Sequence, residues 1–116
     1  MQIKTKQILQ KWTEYTLIND HNISVSILDY GATITSLLLP NREGVFENVV
    51  LGYKDYGLYE ENPFFLGSVI GRVAGRVAKA SFKLHGETYQ LEKNDGENHL
   101  QRRQAPLQAP TTRYRP

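Results

Sequence analysis

The 116-residue chain contains no cysteine, and this absence removes several classes of chemistry at once. Disulfide bridges, thiolate nucleophiles and zinc sites built on thiolates are all excluded. Long hydrophobic runs are also absent, since no uninterrupted apolar stretch approaches the roughly 20 residues that cross a bilayer as a helix. The first seven residues are mostly polar and show no apolar segment of the secretory kind. We therefore expect a cytoplasmic protein with no membrane partner.

Acidic residues are missing from the last sixteen positions, where residues 101–116 hold four arginines and three of the five prolines. This segment has too little apolar surface to offset the entropy of ordering, so we expect a disordered tail. Without its four arginines the chain has 10 basic residues against 12 acids. The basic pI therefore comes from the tail, and we expect no nucleic-acid partner. Nucleic-acid binding by the tail is the weaker alternative, because its four arginines are not carried by a folded platform.

The remaining residues carry the patterns of short strands, and no long segment shows a helical period with caps. Ile23, Val25 and Ile27 alternate with serines, which places three β-branched side chains on one sheet face. Strands are predicted over 13–18, 23–28, 32–39 and 47–52, a loop or helical turn over 55–62, a buried apolar segment over 64–70, and a hairpin over 82–91 that turns at His85–Gly86. We expect one mostly β, antiparallel domain over residues 1–100, of the sandwich or barrel class.

A segment rich in glycine and arginine, residues 67–79, stands out next. Glycines at 67, 71 and 75 allow a backbone or a ligand to approach closely. The segment is neither a P-loop nor a dinucleotide fingerprint, because no Gly-Lys-Ser/Thr follows and no βαβ unit surrounds it. Arg72 and Arg76 offer forks of donors suited to hydroxyl or carboxylate oxygens. From composition alone, pairing of both arginines with acids or carbonyls is the favoured interpretation.

The histidines and paired carboxylates give weak signals. His21 and His85 lie in predicted turns and His99 in a polar loop, where we expect solvent exposure; a ligand role in the loop is the alternative for His99. No two histidines have metal-ligand spacing, so we expect no metal and no cofactor. The neighbouring acids at 60–61 and 95–97 are interpreted as solvated charge rather than as an acid–base pair.

Six segments in a fixed order resemble the galactose mutarotase (aldose 1-epimerase) family: DYGATITSL at 29–37, NVVLGY at 48–53, NPFFLG at 62–67, GRVAGRVAK at 71–79, FKLHGETYQL at 82–91 and NDGENHL at 94–100. The resemblance implies part of a large antiparallel β-sandwich, the mutarotase-like supersandwich, with a sugar cleft on one face. It also implies interconversion of the α and β anomers of galactose and glucose without cofactor or metal. In the family a glutamate takes the proton of the C1 hydroxyl and a histidine protonates the ring oxygen.

The resemblance assigns one substrate-binding residue to this chain. In the family the second arginine of the Gly-Arg-x-Ala-x-Arg phrase contacts the sugar, and that position is Arg76. Many relatives have asparagine just before it, where this chain has Gly75. The family continues Asn-x-Leu-His-Gly-Gly, but here Gln101 stands at the histidine position and arginines 102–103 replace the glycines. His99 lies two residues too early to take that role.

No catalytic residue is expected within the chain, because in the family the acid and base lie further downstream. The resemblance therefore implies that these 116 residues alone are inactive. We hypothesise a one-base frameshift near codon 101, since CGG-CGG-C contains GGC-GGC one base along; a divergent tail is the alternative. Sequencing the coding DNA from codon 95 distinguishes the two. A non-catalytic carbohydrate-binding β module is the alternative function, and a hexose-6-phosphate epimerase fits the phrases less well. The sequence gives no indication of oligomeric state.

Overall fold

The computed structural model describes residues 1–71 and 73–101, which form two compact units, residues 1–69 and residues 70–101. Every strand pair in the described residues is antiparallel. The tail expected over 101–116 lies outside the described residues except for Gln101. The single domain over residues 1–100 stays a prediction. No helix in the described part of the chain is long and apolar enough to cross a membrane.

The first unit is a five-stranded sheet in which each strand pairs with the next along the chain. The strands are β1 (Gln2–Ile8), β2 (Trp12–Ile18), β3 (Ser24–Leu28), β4 (Ile34–Pro40) and β5 (Phe46–Asn48). Asparagine side chains build two of the tight connections. Asn19 Oδ1 accepts from two backbone N–H groups between β2 and β3, and Asn41 Oδ1 does the same between β4 and β5. Such side-chain bonds replace the ladder bonds that a turn gives up.

The strands predicted at 13–18 and 23–28 are confirmed as β2 and β3, and the loop at 55–62 contains a short 3-10 turn, Tyr56–Tyr59. β4 begins two residues later than predicted because Gly31 and Ala32 both adopt positive φ. The strand predicted at 47–52 is wrong beyond Asn48. The side chain of Asn48 accepts from the N–H groups of Leu37 and Val50 and so takes the place of a backbone partner.

Two further expectations differ from the structure. β1 was not predicted, because a segment rich in lysine and glutamine lacks the apolar pattern of a strand; it pairs with β2 along all seven residues. The segment 64–70 is not buried as a whole: Phe64 is 77% exposed and Val69 is 52% exposed. Pro63 precedes this segment, and turns rather than a strand carry it.

The buried face of the sheet is largely polar. Ser24 and Ser26 are buried on β3, whereas Ile23, Val25 and Ile27 share the other face as predicted and are only half-buried. The apolar core beneath the buried face consists of Ile8, Trp12, Leu28 and Tyr59, with Tyr30, Tyr53 and Tyr56 packed against it. Aromatic side chains therefore make up most of this cluster.

A buried carboxylate lies next to that core. Glu14 is 8% exposed, and its Oε2 accepts hydrogen bonds of 2.6 Å from both the Thr35 hydroxyl and the Tyr56 hydroxyl. Burial, followed by the hydrogen bond to Glu14, raises the pKa of Tyr56 to about 12. These two donors satisfy a charge that would be costly to bury alone. The network joins β2, β4 and the 3-10 turn.

The second unit contains two short strand pairs. β6 (Arg76–Val77) pairs with β9 (His99–Leu100), and β7 (Ser81–Leu84) pairs with β8 (Glu87–Gln90). The predicted hairpin is confirmed, and its turn has positive φ at both His85 and Gly86, as a tight turn of the primed type requires.

Candidate functional site

Arg76 begins the short strand β6 and faces Leu100 across the ladder. A hydrogen bond of 3.0 Å from the N–H of Gln101 to the carbonyl of Gly75 continues the pairing by one step. Gly75 has φ +76°, and nothing lies within 4 Å of the place a Cβ would take. The chain therefore turns into β6 through a left-handed residue, a conformation that glycine adopts without strain.

The guanidinium of Arg76 is anchored at one end. Its Nε donates to Asp95 Oδ2 at 2.7 Å, and the two side chains are 58% and 39% exposed. Among the described residues, no hydrogen bond reaches either terminal nitrogen of Arg76. The interpretation from composition, pairing with an acid, is thus correct for Arg76. The terminal N–H groups nevertheless stay available to a ligand, and sugar contact by Arg76 stays a prediction.

A hydrogen-bonded turn holds Asp95 in place. Asp95 and Asn98 exchange backbone hydrogen bonds of 3.1 and 3.0 Å, and Gly96 between them has φ +62°. Asn94 makes side-chain bonds with both the N–H and the carbonyl of Leu100, so the turn is tied to β9. The Asp95 side chain is 39% exposed, as a solvated charge would be, and it also forms an ion pair with Arg76. Its Asn-Asp-Gly sequence signalled the turn, but nothing in the sequence signalled the ion pair.

His99 is a titratable residue that the structure places differently. We expected exposure, but the residue is 3% exposed. Its Nδ1 lies 2.7 Å from the carbonyl oxygen of Glu92, which can only accept, so Nδ1 carries the proton. Nε2 is buried and has no hydrogen-bond partner among the described residues. Because neighbours in a strand alternate between faces, His99 points away from the face that carries Leu100.

The glycines of the segment 67–79 have different roles. A Cβ on Gly67 would lie 1.9 Å from the carbonyl oxygen of Ile34, and the residue has φ +65°. Gly67 thus allows the close backbone approach that was predicted, and its carbonyl accepts from the Ile34 N–H at 2.8 Å. Gly71 has open space around it. Arg72, the other candidate arginine, lies outside the described residues.

A cavity of about 600 Å³ opens on the first unit. Tyr53, Gly57, Leu58, Glu60, Glu61, Pro63 and Phe64 line it. Glu60, one of these residues, pairs with Lys11, whose Nζ lies 2.8 Å from Glu60 Oε2. Aromatic side chains beside carboxylates can accept a polyhydroxylated ligand, since the ring covers an apolar face and the oxygens accept from hydroxyls. No cluster of three or more His, Asp or Glu residues suited to a metal ion occurs in residues 1–71 and 73–101.

Comparison with known proteins matches residues 13–101 to the family Aldose 1-epimerase. The chain is 41% identical over 87 residues to an aldose 1-epimerase of Lactobacillus helveticus, covering 75% of this chain and 64% of that one. It is 40% identical over 84 residues to galactose mutarotase of Bos taurus, with 72% and 24% coverage. A maltose epimerase of Levilactobacillus brevis is 35% identical over 89 residues, with 77% and 26% coverage. The chain thus spans about a quarter of the length of the latter two relatives.

Two solved structures resemble the chain in fold. Galactose 1-epimerase from Lactobacillus acidophilus superposes with a TM-score of 0.63 at 37% identity, over 85% of this chain and 30% of that one. The GalM/aldose epimerase homologue from C. elegans gives 0.67 at 23% identity, over 85% and 28%, and supports the fold alone. The expected fold class, part of a mostly antiparallel β-sandwich, is confirmed. The match begins at residue 13, earlier than the first resembling segment at 29–37.

Proposed function

Because the chain belongs to the aldose 1-epimerase family, we propose that its second unit supplies a sugar contact through Arg76. The family binds aldose sugars as substrates. The observation that supports Arg76 is its one-sided anchoring: Nε is held by Asp95, while the terminal nitrogens meet no described partner. Donors fixed in a plane and partly exposed suit the hydroxyl oxygens of a sugar. Galactose and glucose are the proposed ligands.

The reaction that we propose for a full-length member of the family is anomer interconversion by general acid–base catalysis. A base takes the C1 hydroxyl proton and an acid protonates the ring oxygen, which opens the ring. Rotation about the C1–C2 bond and reclosure then give the other anomer. Arg76 would contribute binding and orientation and would transfer no proton, since an arginine stays charged. We propose that the 116 residues alone do not turn over sugar, because the resemblance assigns neither acid nor base to them.

Polarimetry and titration test these statements together. Polarimetry on freshly dissolved α-galactose should show equilibration at the buffer rate when the 116-residue chain is added. Galactose titration followed by NMR should show saturable shifts in the second unit that disappear in Arg76→Ala. Arg42→Ala is the matched control, because Arg42 is an exposed arginine of the first unit. Equilibration well above the buffer rate refutes the proposed inactivity, and binding that survives Arg76→Ala refutes the role of Arg76.

A non-catalytic carbohydrate-binding module is the second candidate function, and the cavity of the first unit favours it. That cavity belongs to the first unit alone and combines the rings of Tyr53 and Phe64 with carboxylates. If this candidate is correct, galactose should shift resonances of Phe64 rather than those of Arg76. Phe64→Ala should then abolish binding, whereas Arg76→Ala should leave it unchanged.

Three expectations about the cellular setting stay predictions: a cytoplasmic location, no nucleic-acid partner and no cofactor. Nucleic-acid binding by the tail has a direct test. Such binding should vanish when residues 101–116 are deleted, and it should weaken steeply with salt.

A further inference from the structure

The ion pair between Arg76 and Asp95 uses only one of the three guanidinium nitrogens. When a guanidinium pairs with a carboxylate through its two terminal nitrogens, those nitrogens are occupied by that partner. Arg76 instead pairs through Nε, at 2.7 Å from Asp95 Oδ2. The terminal nitrogens lie beyond Nε on the same rigid plane, so a bond at Nε fixes the direction in which they point.

This pair contributes little to stability, because both side chains are substantially exposed, 58% for Arg76 and 39% for Asp95. The residues around Asp95 nevertheless restrain it strongly. Asp95 and Asn98 exchange two backbone bonds, Asn98 Oδ1 accepts from the Lys79 N–H at 3.1 Å, and Asn94 bonds both backbone groups of Leu100. A turn that three hydrogen bonds tie to Lys79 and Leu100 thus presents one carboxylate to one arginine.

We propose that Asp95 is a positioning residue of the sugar site. It holds the Arg76 guanidinium through Nε and aims the terminal N–H groups at the sugar hydroxyls. This inference rests on the proposed function of Arg76. It adds that a second residue, outside the Gly-Arg-x-Ala-x-Arg phrase, sets the affinity without touching the ligand. Ordering the arginine before the sugar arrives removes part of the entropic cost of binding.

The test separates orientation from charge and from folding, and it uses the full 116-residue chain with galactose as the probe. Asp95→Ala removes the acceptor, whereas Asp95→Asn keeps a neutral one. Glu97→Ala is the matched control, because Glu97 is an exposed acid of the same turn without a hydrogen bond among the described residues. The arginine Nε–Hε resonance in the absence of sugar reports the bond directly, and galactose titration by NMR reports the affinity.

We expect the Arg76 Hε resonance to lose its hydrogen-bonded shift in Asp95→Ala and to recover part of it in Asp95→Asn. The dissociation constant for galactose should rise about tenfold in Asp95→Ala, as expected when an oriented, charge-assisted contact loses its support. Asp95→Asn should fall between the wild type and Asp95→Ala. Glu97→Ala should change neither quantity, and the thermal midpoints of all three variants should stay close to that of the wild type.

Two results overturn the inference in different ways. If Asp95→Ala loses the Hε signature but binds galactose like the wild type, while Arg76→Ala abolishes binding, Asp95 does not position the site and the proposed function stands. If galactose binds equally well to Arg76→Ala, or does not bind the wild type, the proposed function fails and the inference fails with it. An equal loss of affinity in Asp95→Ala and Glu97→Ala would show a general charge effect and would also overturn it.

Discussion

Replacing Tyr56 by phenylalanine should measure the buried polar network of the first unit. The hydroxyl of Tyr56 donates to Glu14 Oε2 at 2.6 Å, and Glu14 is only 8% exposed. Its removal leaves Thr35 as the one remaining donor to that oxygen among the described residues. A hydrogen bond to a charged group contributes about 1.5–3 kcal/mol. We therefore expect Tyr56→Phe to lower the free energy of unfolding by about 2 kcal/mol at neutral pH.

The pH dependence of that difference provides a second, independent signature. The pKa of Tyr56 is raised from 10.0 to about 12, first by burial and then by its bond to Glu14. A raised pKa means that the stabilisation is complete below pH 10 and is lost as pH rises through 12. The full shift corresponds to about 2.7 kcal/mol. Because Tyr56 is only partly buried, solvent screening reduces this to about 1–2 kcal/mol.

Urea unfolding followed by tryptophan fluorescence is the appropriate assay, because the single tryptophan, Trp12, is 2% exposed in the core of this unit. The gap between wild type and Tyr56→Phe should stay constant below about pH 9 and narrow between pH 10 and 12. Tyr30, whose pKa burial also raises, is present in both proteins and cancels. Tyr15→Phe is the control, because Tyr15 is 42% exposed. A gap that does not narrow, or a Tyr15→Phe variant that behaves identically, would refute the reasoning.

Three further predictions concern single positions. Gly67→Ala should lower the free energy of unfolding in urea by roughly 2–4 kcal/mol, because the added Cβ would meet the Ile34 carbonyl at a left-handed residue. Gly71→Ala, which has open space for its Cβ, should lower it little, and equal losses in the two variants would contradict this prediction. Gly75→Asn should lower the free energy of unfolding by less than about 1 kcal/mol and Gly75→Val by more than that, because asparagine tolerates a positive φ and a β-branched residue does not. Thermal melts that show the reverse order would contradict this prediction. His99 should show the Nδ1–H tautomer in its ring ¹⁵N shifts, and a protonated Nε2 on the neutral ring would contradict the geometry.

The strands that the sequence predicted correctly are those with an uninterrupted local pattern. The serine alternation of β3 and the His85–Gly86 turn each depend on neighbours in the sequence, and both were found where expected. The prediction of a strand beyond Asn48 was wrong because the Asn48 side chain, rather than a backbone carbonyl, accepts from the Leu37 N–H. The valines at 49 and 50 do not reveal this. The predicted burial of Phe64 was also wrong, because the hydrophobicity of a residue does not show whether another element covers it.

Which face of a sheet is buried also depends on partners distant in the sequence. On β3 the buried Ser26 has its polar partners on both neighbouring strands: its hydroxyl is hydrogen-bonded to the Thr16 hydroxyl at 2.8 Å, and its carbonyl accepts from the Thr35 hydroxyl. Alternation alone identified the two faces correctly. It could not identify the interior one, because a hydrogen-bonded polar interior is as acceptable as an apolar interior once every group has a partner.

The candidate site shows the same division between local and distant information. From composition Arg76 was expected to pair with an acid, and from resemblance it was expected to contact a sugar, as if these were alternatives. Both expectations are compatible with the structure, because pairing with Asp95 at Nε leaves the terminal nitrogens of Arg76 without a bond to that acid. The partner, Asp95, lies nineteen residues away in a turn whose own sequence predicted only solvated charge. An arginine motif therefore identifies the donor, whereas its acceptor follows from the pairing of β6 with β9, which the motif does not reveal.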